Sequence, residues 1–458
     1  MSSETRADPS AQVQPRISSE QTQPQAYFAL ALLLAAYILS FIDRNVMAVL
    51  IGPIREDLQI TDFQYSLLHG FAFSIFYIFM GIPIAKLADR SNRVRIVTVG
   101  IFLWSVMCAA CGLAKSVTTL FITRIGVGVG EAALSPPAFS LLADYFPPAK
   151  QARAFAVYSL GVTVGGGLSA IVGGYVYQHF AATQGAVLPI LGHVSVWQMT
   201  FIAVGAPGLI IVALLGLLRE PVRRIDPHLE TPKADTSVAE FWRHLNRHRR
   251  IYVGIMGAHA MLTVMTYGML AWFIEFLIRT YGIERQDAGL QFGLLNIVGG
   301  SLGAITIGWL VQPMVRRGLI DAPARMLMIV AALVAVPAIL GPLSPTPTMA
   351  VILACPAVFL LNGFYSPGVT ALQMITPNHM KAQITALTLF FANLFGLALG
   401  PTIVASLTDF VFQDDAALRY SLALLPAILC PLAIALFYQA LKPYRAVVAP
   451  LYTDSHEA

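Results

Sequence analysis

Twelve apolar windows, each about 20 residues long, constrain this chain more than any other feature. They run roughly 26–50, 63–87, 94–114, 117–143, 153–179 and 195–217, then 250–278, 287–312, 325–342, 348–374, 382–407 and 419–441. In lipid such a segment must satisfy its own backbone polar groups, which an α-helix does. The windows are too long and too continuously apolar for barrel strands. The expected fold class is an all-α polytopic membrane protein of twelve transmembrane helices in two six-helix bundles. With 57% hydrophobic and 12% charged residues, the chain is too apolar for a water-soluble core to hide.

The longest polar interruption, about Arg219 to Arg250, divides the windows six and six. The reading is therefore a disordered cytoplasmic tail at 1–25, rich in Ser, Gln and Pro and without a cleavable leader. An N-terminal bundle at 26–218, a linker at 219–249, a C-terminal bundle at 250–441 and a short cytoplasmic tail at 442–458 follow. A pI near 9.0 raises the question of nucleic acid. Yet of the 29 Lys and Arg, 22 fall on one set of loops, five on the other and two inside windows. That asymmetry places both termini in the cytoplasm and explains the basic charge with no nucleic-acid partner. The linker's end, Ser237 to Arg250, sets Phe241, Trp242 and Leu245 among bases, as an amphipathic helix on an anionic membrane surface does.

Several motifs lead nowhere. Cys108 and Cys111 form a C-x-x-C inside an apolar window, where small packing residues are expected rather than a redox pair. His244 and His248 share a helix face but lack a third ligand, so no metal site is expected. The glycines at 126, 128 and 130 lack the strand and the Gly-Lys-Ser/Thr of a phosphate loop. No hydrolase or metalloprotease motif appears, and no extramembrane region is large enough for a catalytic domain, so no enzyme and no cofactor beyond the coupling proton is expected.

Charges deep in lipid persist where they pair or line a wet cavity. The N-terminal half holds Asp43, Arg44, Arg124 and Glu131; the C-terminal half holds only Glu275, near the outer end of its first window. Asp43 and Arg124 come out at about the same depth, roughly 10 Å below the outer surface, and an ion pair between them is expected. Glu131 lies two turns deeper than Arg124 on the same face. Two carboxylates flanking an arginine suit a proton-coupling site. Arg44 and Arg124 suit an anionic headgroup, and Trp272, Phe273, Asn362 and Asn393 are candidates for the rest of the substrate site. Rows of small residues, Gly166, Ala170 and Gly174 in the fifth window and Gly396 and Gly400 in the eleventh, fit an interface on which two halves rock. A repeat is also visible: Gly81 precedes Asp89 and Arg90 by the same offset at which Gly308 precedes Arg316 and Arg317.

Leu87-Ala88-Asp89-Arg90-Ser91-Asn92-Arg93 resembles the Gly-x-x-x-Asp-Arg-x-Gly-Arg signature of the major facilitator superfamily, with Ala85 and Asn92 at its two glycine positions. Phe41-Ile42-Asp43-Arg44, and Arg124 through Glu131 followed by Ala132, resemble elements of its spinster family. The match covers roughly residues 37–178. It implies the major facilitator fold, proton coupling through Asp43 and Glu131 with Arg124 as partner, and a lysolipid or sphingolipid-like amphiphile carried by alternating access. It also implies a cytoplasmic gate at Asp89, Arg90 and Arg93, with Asp89 and Arg93 docking near Lys381 to Ile384. The expected setting is the cell inner membrane, multi-pass, as a monomer in the lipid bilayer. The first-window Asp-Arg element also resembles carriers of small organic anions, the main alternative, and a transporter-like membrane sensor is a further one.

Overall fold

The computed structural model describes residues 23–183, 185–188, 192–223 and 238–453. The tail before residue 23, linker residues 224–237 and the last five residues lie outside the described residues. Among the described residues twelve helices are long and apolar enough to cross a membrane. Spans 1 to 6 are Pro24–Val49, Asp62–Arg90, Arg93–Cys111, Val117–Tyr145, Pro148–Ala181 and Val196–Leu215. Spans 7 to 12 are Arg249–Tyr281, Arg285–Arg316, Ala322–Leu340, Pro347–Met374, Gln383–Phe412 and Asp415–Pro450. The protein is thus a multi-pass membrane protein whose twelve spans answer the twelve windows. The last helix, Leu418–Thr453, outruns its expected end at 441.

Short polar turns between the windows supply the helix starts. Before span 2 the Thr61 hydroxyl accepts from the Gln64 amide while the Gln64 side chain accepts from the Thr61 amide. Ser116 and Thr119 do the same for span 4, and Ser195 and Gln198 for span 6. Each pair satisfies amides that a helix start leaves open. Between spans 5 and 6 a small antiparallel hairpin pairs Ala186–Leu188 with Gly192–Val194.

Irregularities recur at matching places in the two halves. The second span of each carries a π-helical turn, Leu67–Phe71 in span 2 and Leu295–Gly300 in span 8. The fourth span of each is broken, after Glu131 in span 4 and at Phe364 in span 10. Prolines cause the breaks, because Pro136, Pro137 and Pro367 cannot donate to the carbonyls four residues back and their rings crowd those carbonyls.

The halves meet where small residues let backbones touch. On Gly289 and Gly293 of span 8, a Cβ would lie 2.4 Å from the Ala170 carbonyl oxygen and 2.5 Å from that of Gly167, both in span 5. On Gly70 of span 2 it would lie 2.3 Å from the Leu397 carbonyl oxygen in span 11. The small-residue row expected on span 5 therefore faces the other half. The row on span 11 does not: Gly396 packs on Thr263 and Tyr267 and Gly400 on the Val264 carbonyl, all of span 7 in their own half. Span 11 meets the other half through its carbonyls, and span 2 supplies the glycine.

The linker helix, Val238–Arg247, is amphipathic as expected, but Phe241 and Leu245 are buried in the protein's own apolar core rather than turned to a bilayer. Trp242 stays exposed. His244 Nε2 lies 3.0 Å from the Tyr252 hydroxyl, which lies 2.8 Å from Thr376 Oγ1, and this chain anchors the helix to spans 7 and 10. Burial and the neighbouring His248 and Arg247 hold the His244 imidazole below its ordinary range.

Candidate substrate and proton site

Asp43, Arg44, Arg124 and Glu131 all lie buried between spans 1 and 4, but the expected partners are exchanged. Arg44 holds Glu131: its Nη2 and Nε lie 2.5 and 3.1 Å from Glu131 Oε2. Arg124 makes no ion pair with Asp43; it donates to the backbone carbonyls of Asp43 at 3.4 Å and Arg44 at 3.2 Å. Both Asp43 carboxylate oxygens are buried without a hydrogen-bond donor, as is Glu131 Oε1.

Helix geometry explains the exchange. Side chains lean toward the N-terminus of their own helix. Spans 1 and 4 are antiparallel, so Arg44 leans toward the end that holds the termini, where Glu131 sits, and Arg124 leans the other way. Span 1 also tightens into a 3-10 turn at Val46–Val49, which loosens the carbonyls of the preceding turn and gives Arg124 its acceptors. Arg44 is enclosed by rings, its guanidinium carbon 4.8, 4.5 and 5.0 Å from the centroids of Phe41, Phe73 and Tyr77.

Tyr77 of span 2 lies against Arg44, and Tyr37 of span 1 meets the Phe41 ring edge-on at 5.3 Å. Tyr365, at the break of span 10, is 38% exposed and lies 5.4 Å ring to ring from His259. Tyr77 of span 2 and, through the Phe41 ring, Tyr37 of span 1 thus stand near one arginine. Sequence reasoning missed them, because a tyrosine in an apolar window carries no charge to mark it.

The aromatic candidates belong elsewhere. Trp272 is fully buried, donates its indole N–H to the Pro401 carbonyl at 2.9 Å and meets the Tyr65 ring edge-on at 6.1 Å. Phe273 stacks on Phe292 at 5.0 Å inside the C-terminal bundle. Both are buried in the protein's apolar core. Asn362 and Asn393 are half-buried; Asn362 donates to the Val358 carbonyl at 2.9 Å, one turn back.

At the end away from the termini, an ion network joins the halves. Arg279 of span 7 grips Asp62 of span 2 at 2.7 and 2.8 Å, Arg55 lies 3.0 Å from both Asp62 and Asp415, and the Phe63 amide donates to Asp409 at 2.7 Å. Glu275 joins Arg279 at 2.9 Å and Arg285 at 3.2 Å, and Arg285 donates to the Val49 carbonyl at 2.5 Å. Glu275 is therefore a clasp residue. Asp62, Arg55 and Arg279 escaped notice because they sit at window edges, where a charge looks like ordinary loop.

At the opposite end the expected gate is not docked. Asp89 and Arg90 are exposed, and Arg93 is spent within its own half on Asp144 at 2.5 Å and Glu220 at 2.7 Å. Arg223 instead caps the end of span 2, donating to the carbonyls of Ala88 at 2.7 Å and Ser91 at 2.8 Å and to that of Asp89.

Comparison with known proteins fits this architecture. The Major Facilitator Superfamily model matches residues 33–445. An MFS-type efflux pump of Mycolicibacterium smegmatis is 28% identical over 88% of this chain and 89% of its own. A probable L-galactonate transporter of Escherichia coli is 23% identical over 91% of this chain and 89% of its own. Protein spinster of Drosophila melanogaster is 26% identical over 68% of this chain and 49% of its own. The crystal structure of a bacterial homologue of the human lysosomal transporter spinster, inward-facing and unoccupied, superposes with a TM-score of 0.76 at 26% identity, covering 94% of this chain and 98% of that one. These relatives are transporters rather than enzymes, and the chain belongs to the Major Facilitator Superfamily, with spinster-type proteins among those it resembles.

Proposed function

We propose that the protein is a proton-coupled secondary transporter that moves an anion-headed amphiphile, a lysolipid or sphingolipid-like molecule, by alternating access. The observation that supports this most is the buried Arg44–Glu131 pair, with Phe41, Phe73 and Tyr77 packed around the guanidinium. In the arrangement seen here Glu131 neutralises Arg44. A proton on Glu131 releases Arg44, whose guanidinium then has a vacant fork for a carboxylate or phosphate headgroup. Asp43 is the second proton acceptor. A buried carboxyl without a donor costs less protonated than charged, so a proton there favours the arrangement seen here. The lysine and arginine excess assigns the end with the termini to the cytoplasm, so the clasp at Asp62, Arg279 and Glu275 closes the outer side.

A second reading, transport of a small polyhydroxylated acid, is favoured by the Tyr77 ring against Arg44 and by the galactonate carrier among the relatives. Uptake into proteoliposomes separates the two. With an imposed pH gradient, labelled lysophosphatidylglycerol should accumulate, labelled galactonate should not, and Glu131→Gln should abolish the dependence on the gradient. Accumulation of galactonate alone supports the second reading; no flux of either contradicts both.

A further inference from the structure

Between spans 1 and 2 the short helix Ile51–Leu58 ends on Gln59, whose φ of 52° is left-handed and turns the chain into Ile60 and Thr61. Gly52, Arg55, Glu56 and Gln59 recur at helical spacing and share one face. That face is one wall of an open cavity of about 720 Å³ at the outer end, and Glu275, Arg279, Arg285 and Asp415 of the other half stand on the opposite wall. The cavity is in the size range of small-molecule sites.

The lining carries three arginines, Arg55, Arg279 and Arg285, and three carboxylates, Glu56, Glu275 and Asp415. Most of that charge is spent. An alternating chain of ion pairs runs from Asp415 through Arg55, Asp62, Arg279 and Glu275 to Arg285, and every side-chain nitrogen of Arg55 and Arg279 has an acceptor. Arg285 differs. It uses Nη1 alone, on the Val49 carbonyl and Glu275, so its Nε and Nη2 have no acceptor among the described residues. Those two nitrogens form one edge of the guanidinium, the kind of edge that takes both oxygens of a carboxylate or phosphate. Gly52 keeps the edge bare, since a Cβ there would lie 3.0 Å from Nη2. One turn along the same helix Glu56 is exposed and forms no ion pair among the described residues.

A cavity whose other charges cancel thus offers one free guanidinium edge and one free carboxylate. We propose that it binds a zwitterion, an ammonium and a carboxylate or phosphate carried on one small molecule or lipid headgroup, with the anionic end on the Nε and Nη2 edge of Arg285 and the ammonium at Glu56. The two residues belong to different halves, so the bound zwitterion joins the outer ends and shifts the population toward the outer-closed state. This site is separate from the one at Arg44 and does not depend on what that one carries.

The test titrates γ-aminobutyrate onto the full chain in phosphatidylglycerol nanodiscs, with spin labels on the outer ends of the two bundles and at a pH where both distances are populated. The outer-closed population should rise to saturation, and butyrate or butylamine, each with half of the charge pair, should need about tenfold more. Glu56→Gln should weaken γ-aminobutyrate about tenfold, leave butyrate unchanged and keep the distances without ligand as in the wild type. Arg285→Lys keeps the charge but not the fork, and should weaken γ-aminobutyrate and butyrate alike. Adding phosphatidylethanolamine identifies the source. Closure by the lipid, with a blunted response to γ-aminobutyrate, supports a headgroup as ligand; an undiminished response supports a free solute. No closure by either, equal potency of the three probes, or an undiminished response in Glu56→Gln or Arg285→Lys would overturn the inference. Failed uptake would count against the transport reading alone, since this readout needs no transported substrate.

Discussion

Arg44 and Glu131 are each other's only strong partners, so removing one strands the other in a poorly solvated place. Arg44→Ala should destabilise the protein by about 3 to 5 kcal/mol, and adding Glu131→Gln to it should restore most of that loss. Thermal unfolding in detergent measures both; a double variant as unstable as the single one would mean the pair contributes packing rather than charge. Asp43→Asn, by contrast, should hardly change stability in the state seen here, because no hydrogen bond is lost. Which charges lie deep was legible in the sequence, since an acid or base within an apolar window stands out. Which charge meets which was not: neighbours on a helix point about 100° apart, and the lean of a side chain depends on the direction of its span. Antiparallel spans gave Glu131 to Arg44 and left Asp43 facing Arg124 across a turn whose carbonyls compete better. The burial of Trp272 and Phe273 was not legible for a related reason, as an aromatic in a membrane window reads the same in a core, in a cleft or against lipid.

At the scale of elements, the crossing of spans 2 and 11 depends on one absent methyl. Gly70→Ala would press a Cβ against the Leu397 carbonyl, and neither backbone has room to give. It should weaken the closed outer end and raise outer accessibility several-fold without unfolding the bundles. Labelling of single cysteines on the outer turns shows this, and unaltered accessibility would mean that the contact is incidental. The linker helix has its own pH dependence. The His244 imidazole is held below its ordinary range by burial first, then by the neighbouring His248 and Arg247. An imidazole whose range is lowered on docking supports the docked form above its ordinary range, near pH 6.5, and that support is lost as pH falls below it. The neighbouring Glu240–His379 pair, 3.7 Å apart and about half exposed, contributes little to the docking. Spin-label mobility at position 243 should therefore rise on acidification, and His244→Gln should flatten the change. The helix itself was visible from its charge and apolar pattern; its docking was not, because a buried face and a bilayer face look alike until the neighbouring span ends are in place.

Over the whole molecule, the twelve spans and their division into halves could be read from hydropathy alone, whereas the state could not, since it is set by contacts between halves that share no local pattern. In this state the outer clasp is made and Arg93 is turned inward to its own half. Asp62 is the hub of the clasp, so Asp62→Asn should release Arg55 and Arg279 together and shift the population toward an outward-open form by several-fold. An outer end that stays closed in this variant would assign the closure to glycine packing. The central claim is that protons at Asp43 and Glu131 govern the exchange of states. The most direct test is the pH dependence of the distance between spin labels on the outer ends of the two bundles, in the wild type and in Asp43→Asn with Glu131→Gln. In the wild type acid should populate the outer-closed distance and alkali the open one, and in the double variant the distribution should stay fixed across the same range; wild-type sensitivity in the double variant would place the proton site elsewhere.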